Sequence, residues 1–273
     1  GLAVGLLCFC VCIYCSRFVE NTDHCFANHD RIAELNLYDS KADRYFSGSP
    51  VPLAEELRTW ALGETEAISS VTYPRERPYY VELSPEKTLP YELETIEIDT
   101  CYNKIFTPEM VAGHWKMASQ SLNSVILSQS MAIKRFGNAE SAIGKHMTLM
   151  RRLNTSPEST PKTGGIVYTI QAVMKDIPLN NSLDFMQNID MLTVNDSEGL
   201  LQSPKRHNMT GANTYVLLSP QTTCTDLEKQ FSKRDYTYTL YGEAYTVTAS
   251  SMGARLKKQG ASYLGFVLSL IHI

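Results

Sequence analysis

Residues Ser124 to Leu149 read SVILSQSMAIKRFGNAESAIGKHMTL, a stretch dense with local structural signals. Val125 to Leu127 is a short apolar run, which predicts a strand. Ser128 follows with a side chain suited to accept from the free N–H groups of a helix start. The helix it opens runs to Phe136, and Gly137 fits the left-handed position that closes a helix. Gly144 then marks a turn into a strand at His146 to Met150. Strand, capped helix, turn and strand in succession place a folded α+β domain at the centre of the chain.

Outward from this unit the pattern continues. Asn154 to Gly165 (NTSPESTPKTGG) is a polar loop, and Ile166 to Val173 alternates as a strand ended by Asp176-Ile177-Pro178. Upstream, Tyr91 to Thr100 sets Ile96 and Ile98 on one face against Glu94, Glu97 and Asp99. Nearer the N-terminus, Pro52 suits the first turn of a helix. Leu53, Leu57, Trp60 and Ala61 then fall at i, i+4, i+7 and i+8, with Gly63 as the stop. A strand follows at Ala67 to Tyr73, ended by Pro74. The far end repeats the order: strand Thr214 to Leu218, helix Asp226 to Lys233 carrying Leu227 and Phe231, and an alternating strand through Tyr236, Tyr238 and Leu240. Two βαβ units, at about 30–90 and 210–250, combine into a split, ferredoxin-like subdomain. The strand-rich stretch at about 91–209 is then an insertion.

Both ends are apolar. Gly1 to Cys15 (GLAVGLLCFCVCIYC) has no charge or proline and continues to Val19; a full span takes about 20 residues. This reads as a membrane helix over 1–19, truncated at its N-terminus. A signal peptide would need a small-x-small cleavage site, and Arg17, Phe18 and Val19 lead instead into Glu20 and Asn21. The stretch 255–273, with Arg255, Lys257 and Lys258 before Tyr263 to Ile273, reads as the approach to a second span and its start. Asn21 to Leu35 reads as a helix or helix end leaving the membrane, becoming extended through Leu37.

Of the 273 residues, 43% are hydrophobic and 20% charged, with net charge −4. Nucleic-acid binding wants a basic stripe, and the scattered Lys and Arg provide none. Cys8, Cys10, Cys12 and Cys15 lie around one apolar helix, where cysteine serves as a small hydrophobe. Cys25, Cys101 and Cys224 remain, an odd number that allows at most one disulfide.

The search for chemistry ends without a candidate enzyme. Asp23, His24, Cys25, His29 and Asp30 form the best metal candidate, but His24 and His29 are five apart, not the i, i+4 of one helix face. A solvated polar helix face is the favoured reading. His114, His146 and His207 have no recognisable partners. There is no nucleophile elbow, S-x-x-K set, P-loop or G-x-G-x-x-G, and Glu55-Glu56 lie on the solvent side of their helix. No catalytic residue, cofactor or metal is expected.

The opening stretch also carries a resemblance. With Leu127, Ser128, Ala132, Phe136, Gly137, Ile143, Gly144 and Lys145 it resembles a segment of the extracytoplasmic core domain in MacB/FtsX-type ABC transporter permeases. Tyr168 to Phe185 is similar to a second family segment through Val173, Lys175, Asp176, Pro178, Ser182 and Phe185. Thr214 to Phe231 resembles a third. At the start, GLAVGLLCF followed by Asn28, Asp30, Arg31 and Ile32 is similar to the first span and its exit in Bacteroidetes members. Ala172 stands where the family usually has glycine, and Ala142 where proline is common. The resemblance implies a permease subunit in the cell inner membrane, with a membrane helix, a periplasmic core domain over 20–254 and further spans. It implies an ABC-type ATPase subunit as partner, self-association as a permease dimer, contact with membrane lipid, and a periplasmic adaptor or effector. ATP hydrolysis would be transmitted mechanically through the first two helices, with Gly137 and Gly144 as backbone features. The alternative is a membrane-anchored sensor or binding domain of a signalling receptor.

Overall fold

The computed structural model describes residues 2–46, 48–84, 87–149, 165–184, 186–203, 210–254 and 256–258. The chain opens with α1 (Leu2–Glu20), then β1 (Ile32–Asp39), the short β2 (Arg44–Tyr45), α2 (Val51–Thr59) and β3 (Thr65–Thr72). A long hairpin follows, β4 (Arg75–Ser84) and β5 (Lys87–Ile98), then α3 (Tyr102–Phe106), β6 (Met110–Gly113) and α4 (Trp115–Gln120). Next are β7 (Ser124–Ser128), α5 (Gln129–Phe136), a 3₁₀ turn (Glu140–Ala142), β8 (His146–Leu149), β9 (Val167–Met174) and β10 (Met191–Val194). The last elements are β11 (Ala212–Leu218), α6 (Cys224–Lys233), β12 (Thr237–Leu240) and β13 (Glu243–Ser251).

Two halves share one sheet. In the first, the strand order is β3-β11-β1-β13-β12, with neighbouring strands antiparallel. In the second, β5-β10-β7-β9-β8-β4 closes on itself, because β10 pairs with both β7 and β5 and β4 pairs with β5. The segment 75–90, which the sequence reading groups with the βαβ half, therefore lies in the ring: β4 pairs with β5 and β8. Pro78 obscures this strand, since proline breaks the alternation expected of one.

The apolar pattern follows from three cores. Inward residues from every ring strand, among them Tyr79, Leu93, Leu127, Met147, Tyr168 and Met191, join Met131 and Ala132 of α5 in the ring's interior. Val216 and Leu218 of β11 meet Leu53 and Leu57 of α2 and Leu227 and Phe231 of α6. Their neighbours Tyr215 and Leu217 face the other way, into a core shared with Ile96, Ile98, Ile126 and Leu192 of the ring. A strand covered on both faces reads as a continuous apolar run rather than an alternation, which is why TYVLL and SVILS look as they do.

Glu97 sits at this joint. It was expected on a polar strand face, yet it is 5% exposed and accepts from the N–H groups of Leu200 and Leu201 at 2.6 and 3.0 Å. A Cβ on Gly199 would overlap its carboxylate, so any larger residue there would require the Glu97 side chain to shift. Burial above all, then the charge of Asp196, pushes the Glu97 carboxyl up to about 7 against two backbone hydrogen bonds and Arg75. The folded state thus holds this proton more tightly than the unfolded chain. The stability it contributes is full below the ordinary value of 4.5 and is lost as pH rises through about 7. Relative to wild type, Glu97→Gln is expected to gain roughly 3 kcal/mol between pH 4.5 and pH 8 in urea unfolding. Parallel pH curves for the two proteins would refute the assignment.

Helix ends follow the sequence in most places. Ser128 Oγ accepts from Met131 N–H at 3.4 Å, and Thr223 and Asp226 form a capping box on α6. Gly137 has φ 86° and Gly144 φ 78°, with no atom near where a Cβ would stand. Their glycines answer a backbone need alone, so Gly137→Ala is expected to cost about 1 kcal/mol through strain, read as a lower denaturation midpoint. At α2 the expected stop at Gly63 is displaced: Ala61 takes the left-handed position, with φ 47°. Glu55 and Glu56 do face solvent. All of Cys25, Cys101 and Cys224 are free thiols. Phe185, His207, Arg255, Met150, the polar loop up to residue 164 and the closing apolar run lie outside the described residues.

Candidate functional site at the α1 junction

Among the described residues, α1 is the one helix long and apolar enough to cross a membrane. Its large side chains are unpacked: Val4 is 66% exposed, Phe9 61% and Tyr14 68%. Its 19 residues extend about 28 Å at 1.5 Å each, close to a bilayer's hydrocarbon thickness. What happens after Glu20 sets how such a helix joins the domain.

The helix expected beyond residue 20 does not form. Residues 21–31 are turns, because Asp23 adopts φ 70°, outside the helical region. Aspartate tolerates this conformation better than most residues. Nor is Asp23 part of a solvated face: it is 1% exposed. Its Oδ1 accepts from Ser182 N–H at 2.6 Å and its Oδ2 from Ser182 Oγ at 2.5 Å. Its own N–H donates to Asn180 O at 2.9 Å. Asn180 Nδ2 reaches back to Asn21 O at 3.0 Å. Burial pushes the Asp23 carboxyl up, opposed by the Ser182 hydrogen bonds and by the positive charges of Lys257 and His29.

The loop that supplies Ser182 is itself fixed at several points. Asn181 is fully buried; its Oδ1 accepts from Leu183 and Asp184 N–H, both at 2.9 Å, and its Nδ2 donates to Pro178 O at 2.7 Å. At the loop's start, Asp176 Oδ1 accepts from Ser130 N–H at 2.9 Å, in the first turn of α5, and Lys175 N–H donates to Glu109 O at 2.8 Å. Negative charge at a helix N-terminus is favourable. The loop thus grips the ring at one end and the α1 exit at the other.

The turn after β13 meets the same carboxylate. Beyond β13, Met252 N–H donates to Ile32 O at 2.9 Å, and Met252 is buried with Phe26, Ile32 and Leu183. Gly253 has φ 72°, and a Cβ there would overlap Asp23 Oδ2. Gly253→Ala is therefore expected to cost about 2 kcal/mol from strain and crowding, measured as a fall in thermal midpoint. Further along the exit, Arg31 Nη1 donates to Leu218 O at 3.0 Å and Glu66 Oε1 at 2.9 Å, and Asn28 Nδ2 to Ile105 O at 3.4 Å. These bonds tie the exit to β11, β3 and α3.

The structure brings the two histidines of the candidate metal cluster together, but not the five residues as one site. Asp23 is occupied by Ser182, the His24 and His29 rings lie 4.3 Å apart, and among the described residues no grouping of three or more potential ligands could hold a metal. His114 precedes α4, and His146 Nδ1 pairs with Thr169 Oγ1 at 3.3 Å. What sequence reasoning missed is Asp23 as a buried anchor and Gly253 as its neighbour. Ser182 lay within the matched segments, but its partner 159 residues away did not show in the sequence.

Comparison with known proteins gives structural likeness. No family model matches the chain, and no curated protein does. A domain of a proposed permease protein from Porphyromonas gingivalis superposes with TM-score 0.59 at 21% identity, covering 83% of this chain and 93% of that one. The periplasmic region of MacB from Actinobacillus actinomycetemcomitans superposes with TM-score 0.52 at 13% identity, covering 84% of this chain and 92% of that one. The chain thus shares the fold of these two domains, and among the described residues one candidate membrane helix precedes it.

Proposed function

We propose that this chain is part of a permease subunit of a MacB/FtsX-type ABC transporter, and that its domain works by mechanical transmission. The observation that carries this reading is the shared anchor: the α1 exit, the 175–184 loop and the turn after β13 all meet at the Asp23 carboxylate. In this reading residues 1–19 are the first span in the cell inner membrane, 20–254 the periplasmic domain, and 255–273 the approach to a second span. Hydrolysis by a cytoplasmic ABC-type ATPase subunit moves α1. The buried hydrogen bonds at Asp23 pass that movement into the ring through the loop and into the five-stranded half through β1 and β13. Lipid covers the apolar surface of α1, and two copies act as a permease dimer on a cargo or a periplasmic adaptor or effector.

The five-stranded half is read as the split ferredoxin-like subdomain. In support, strands β1, β3, β11 and β13 lie in the order β3-β11-β1-β13, with α2 and α6 in their crossovers. The ring is then the inserted strand-rich subdomain. Purification of the permease bearing this chain from membranes is expected to bring down an ABC-type ATPase whose nucleotide-dependent movement of the domain is lost in Asp23→Ala. A protein that purifies from membranes without any ATPase contradicts the proposal.

A further inference from the structure

His24 and His29 are five residues apart, a spacing that puts two side chains on different faces of a helix. Residues 21–31 are turns, however, and they bring the two imidazoles to 4.3 Å, centre to centre. The backbone between them is closed step by step. His24 N–H donates to Asn21 O at 3.2 Å, Phe26 N–H to Asp23 O at 2.9 Å, and His29 N–H to Phe26 O at 3.1 Å. Asp23 and Phe26 are both buried, so the pair stands on an ordered base. His29 Nδ1 also pairs with Phe26 O, at 3.2 Å. A carbonyl can only accept, so in the neutral ring Nδ1 carries the proton and Nε2 keeps its lone pair. A backbone carbonyl on the other ring nitrogen is a common support of a metal-binding histidine. His24 is exposed and His29 half-buried, which leaves both open to an ion from solvent.

The ring separation discriminates among metal geometries. A metal–nitrogen bond of about 2.1 Å puts each ring centre about 3.2 Å from the ion, so two rings at right angles around it stand about 4.5 Å apart and two at the tetrahedral angle about 5.2 Å. The observed 4.3 Å fits the right angle. Adjacent ligands at right angles belong to square or tetragonal sites, which Cu²⁺ and Ni²⁺ favour, and Cu²⁺ binds nitrogen ligands most tightly of the first-row divalent ions. Among the described residues no third His, Cys, Asp or Glu completes a metal-holding group with them, so the remaining positions fall to water. We propose that His24 and His29 form a two-histidine site for a tetragonal divalent ion, Cu²⁺ above all. The site lies on the turns that join α1 to β1, and it stands without the transmission reading.

The test uses the whole chain in lipid nanodiscs with its seven cysteines replaced by serine, which keeps thiols from reducing the added metal. Cu²⁺ is the probe, and pulsed electron paramagnetic resonance counts the imidazoles coupled to it. One Cu²⁺ per chain with two coupled imidazoles is expected, and an excess of Mg²⁺ or Ca²⁺ should not displace it, since these ions prefer oxygen ligands. His24→Ala and His29→Ala are each expected to weaken binding about tenfold or more, because the second nitrogen acts as a tethered ligand at high local concentration. Each should also leave at most one coupled imidazole. His146→Ala, which removes the histidine paired with Thr169, is expected to change neither quantity. Circular dichroism melts check that the variants fold, and His24 is exposed enough to be removed without loss of the core. The proposal is overturned by absence of uptake, by a single coupled imidazole in the parent chain, or by binding that His24→Ala leaves unchanged; the two rings would then only pack on each other. No ATPase enters the readout, so this result is separate from the fate of the transmission proposal.

Discussion

Asp23→Ala is expected to lower folding stability by about 3–4 kcal/mol, near 10 °C in Tm for a chain of this size. Two hydrogen bonds from Ser182 to a buried carboxylate are lost, and bonds to charged groups contribute about 1.5–3 kcal/mol each. Alanine at φ 70° adds strain that aspartate bears better. Relief of the carboxylate's desolvation, visible in its raised pKa, offsets part of the loss. Asp23→Asn keeps the left-handed preference and one acceptor, so it should cost about half as much. In a cycle with Ser182→Ala the two sites should couple by about 1–3 kcal/mol, because they share the bonds removed. Additive losses in circular dichroism melts would mean that the anchor is only a packing contact.

Asp196→Ala is expected to cost about 4 kcal/mol, for a different reason. Asp196 is fully buried and accepts from Arg77 Nη1 at 2.7 Å, Tyr168 Oη at 2.5 Å and Glu198 N–H at 3.0 Å. Its removal leaves the Arg77 guanidinium, only 20% exposed at the side chain, without its counter-charge. Breaking one side of a buried pair costs about 3–5 kcal/mol even where the intact pair adds little net stability. Tyr168→Phe should cost about 1 kcal/mol, since it removes a single hydrogen bond and leaves the charges paired. Urea denaturation ranks the variants; equal losses for Asp196→Ala and Tyr168→Phe would mean that the ion pair does not organise this corner.

Much of the fold was legible because its signals are local. Ser128 and Gly137 frame α5, Leu227 and Phe231 mark the buried face of α6, and Asp176-Ile177-Pro178 closes β9. What stayed hidden depends on distant partners. β10 is four residues long, and β4 carries a proline; each is a strand because the ring closes around it. Glu97 looked like a surface residue because alternation assumes one solvated face, whereas β5 at this point is covered on both. The candidate site shows the same limit. Asp23 beside two histidines has the composition of a solvated turn, and only its bonds to Ser182 and the crowding at Gly253 make it an anchor.

The measurement that bears most directly on the account is the distance between equivalent points on two permease copies as nucleotide changes. Ala244, exposed at the start of β13, is a suitable label position in a background with the seven cysteines replaced. It lies about 26 Å along the chain from Met252, at 3.3 Å per residue. Pulsed dipolar spectroscopy on the complex in nanodiscs is predicted to show one separation without nucleotide and another with ATP, and in Asp23→Ala a single separation that ATP does not move. A separation indifferent to ATP in the wild type, or an equal shift in Asp23→Ala, would contradict transmission through the Asp23 anchor.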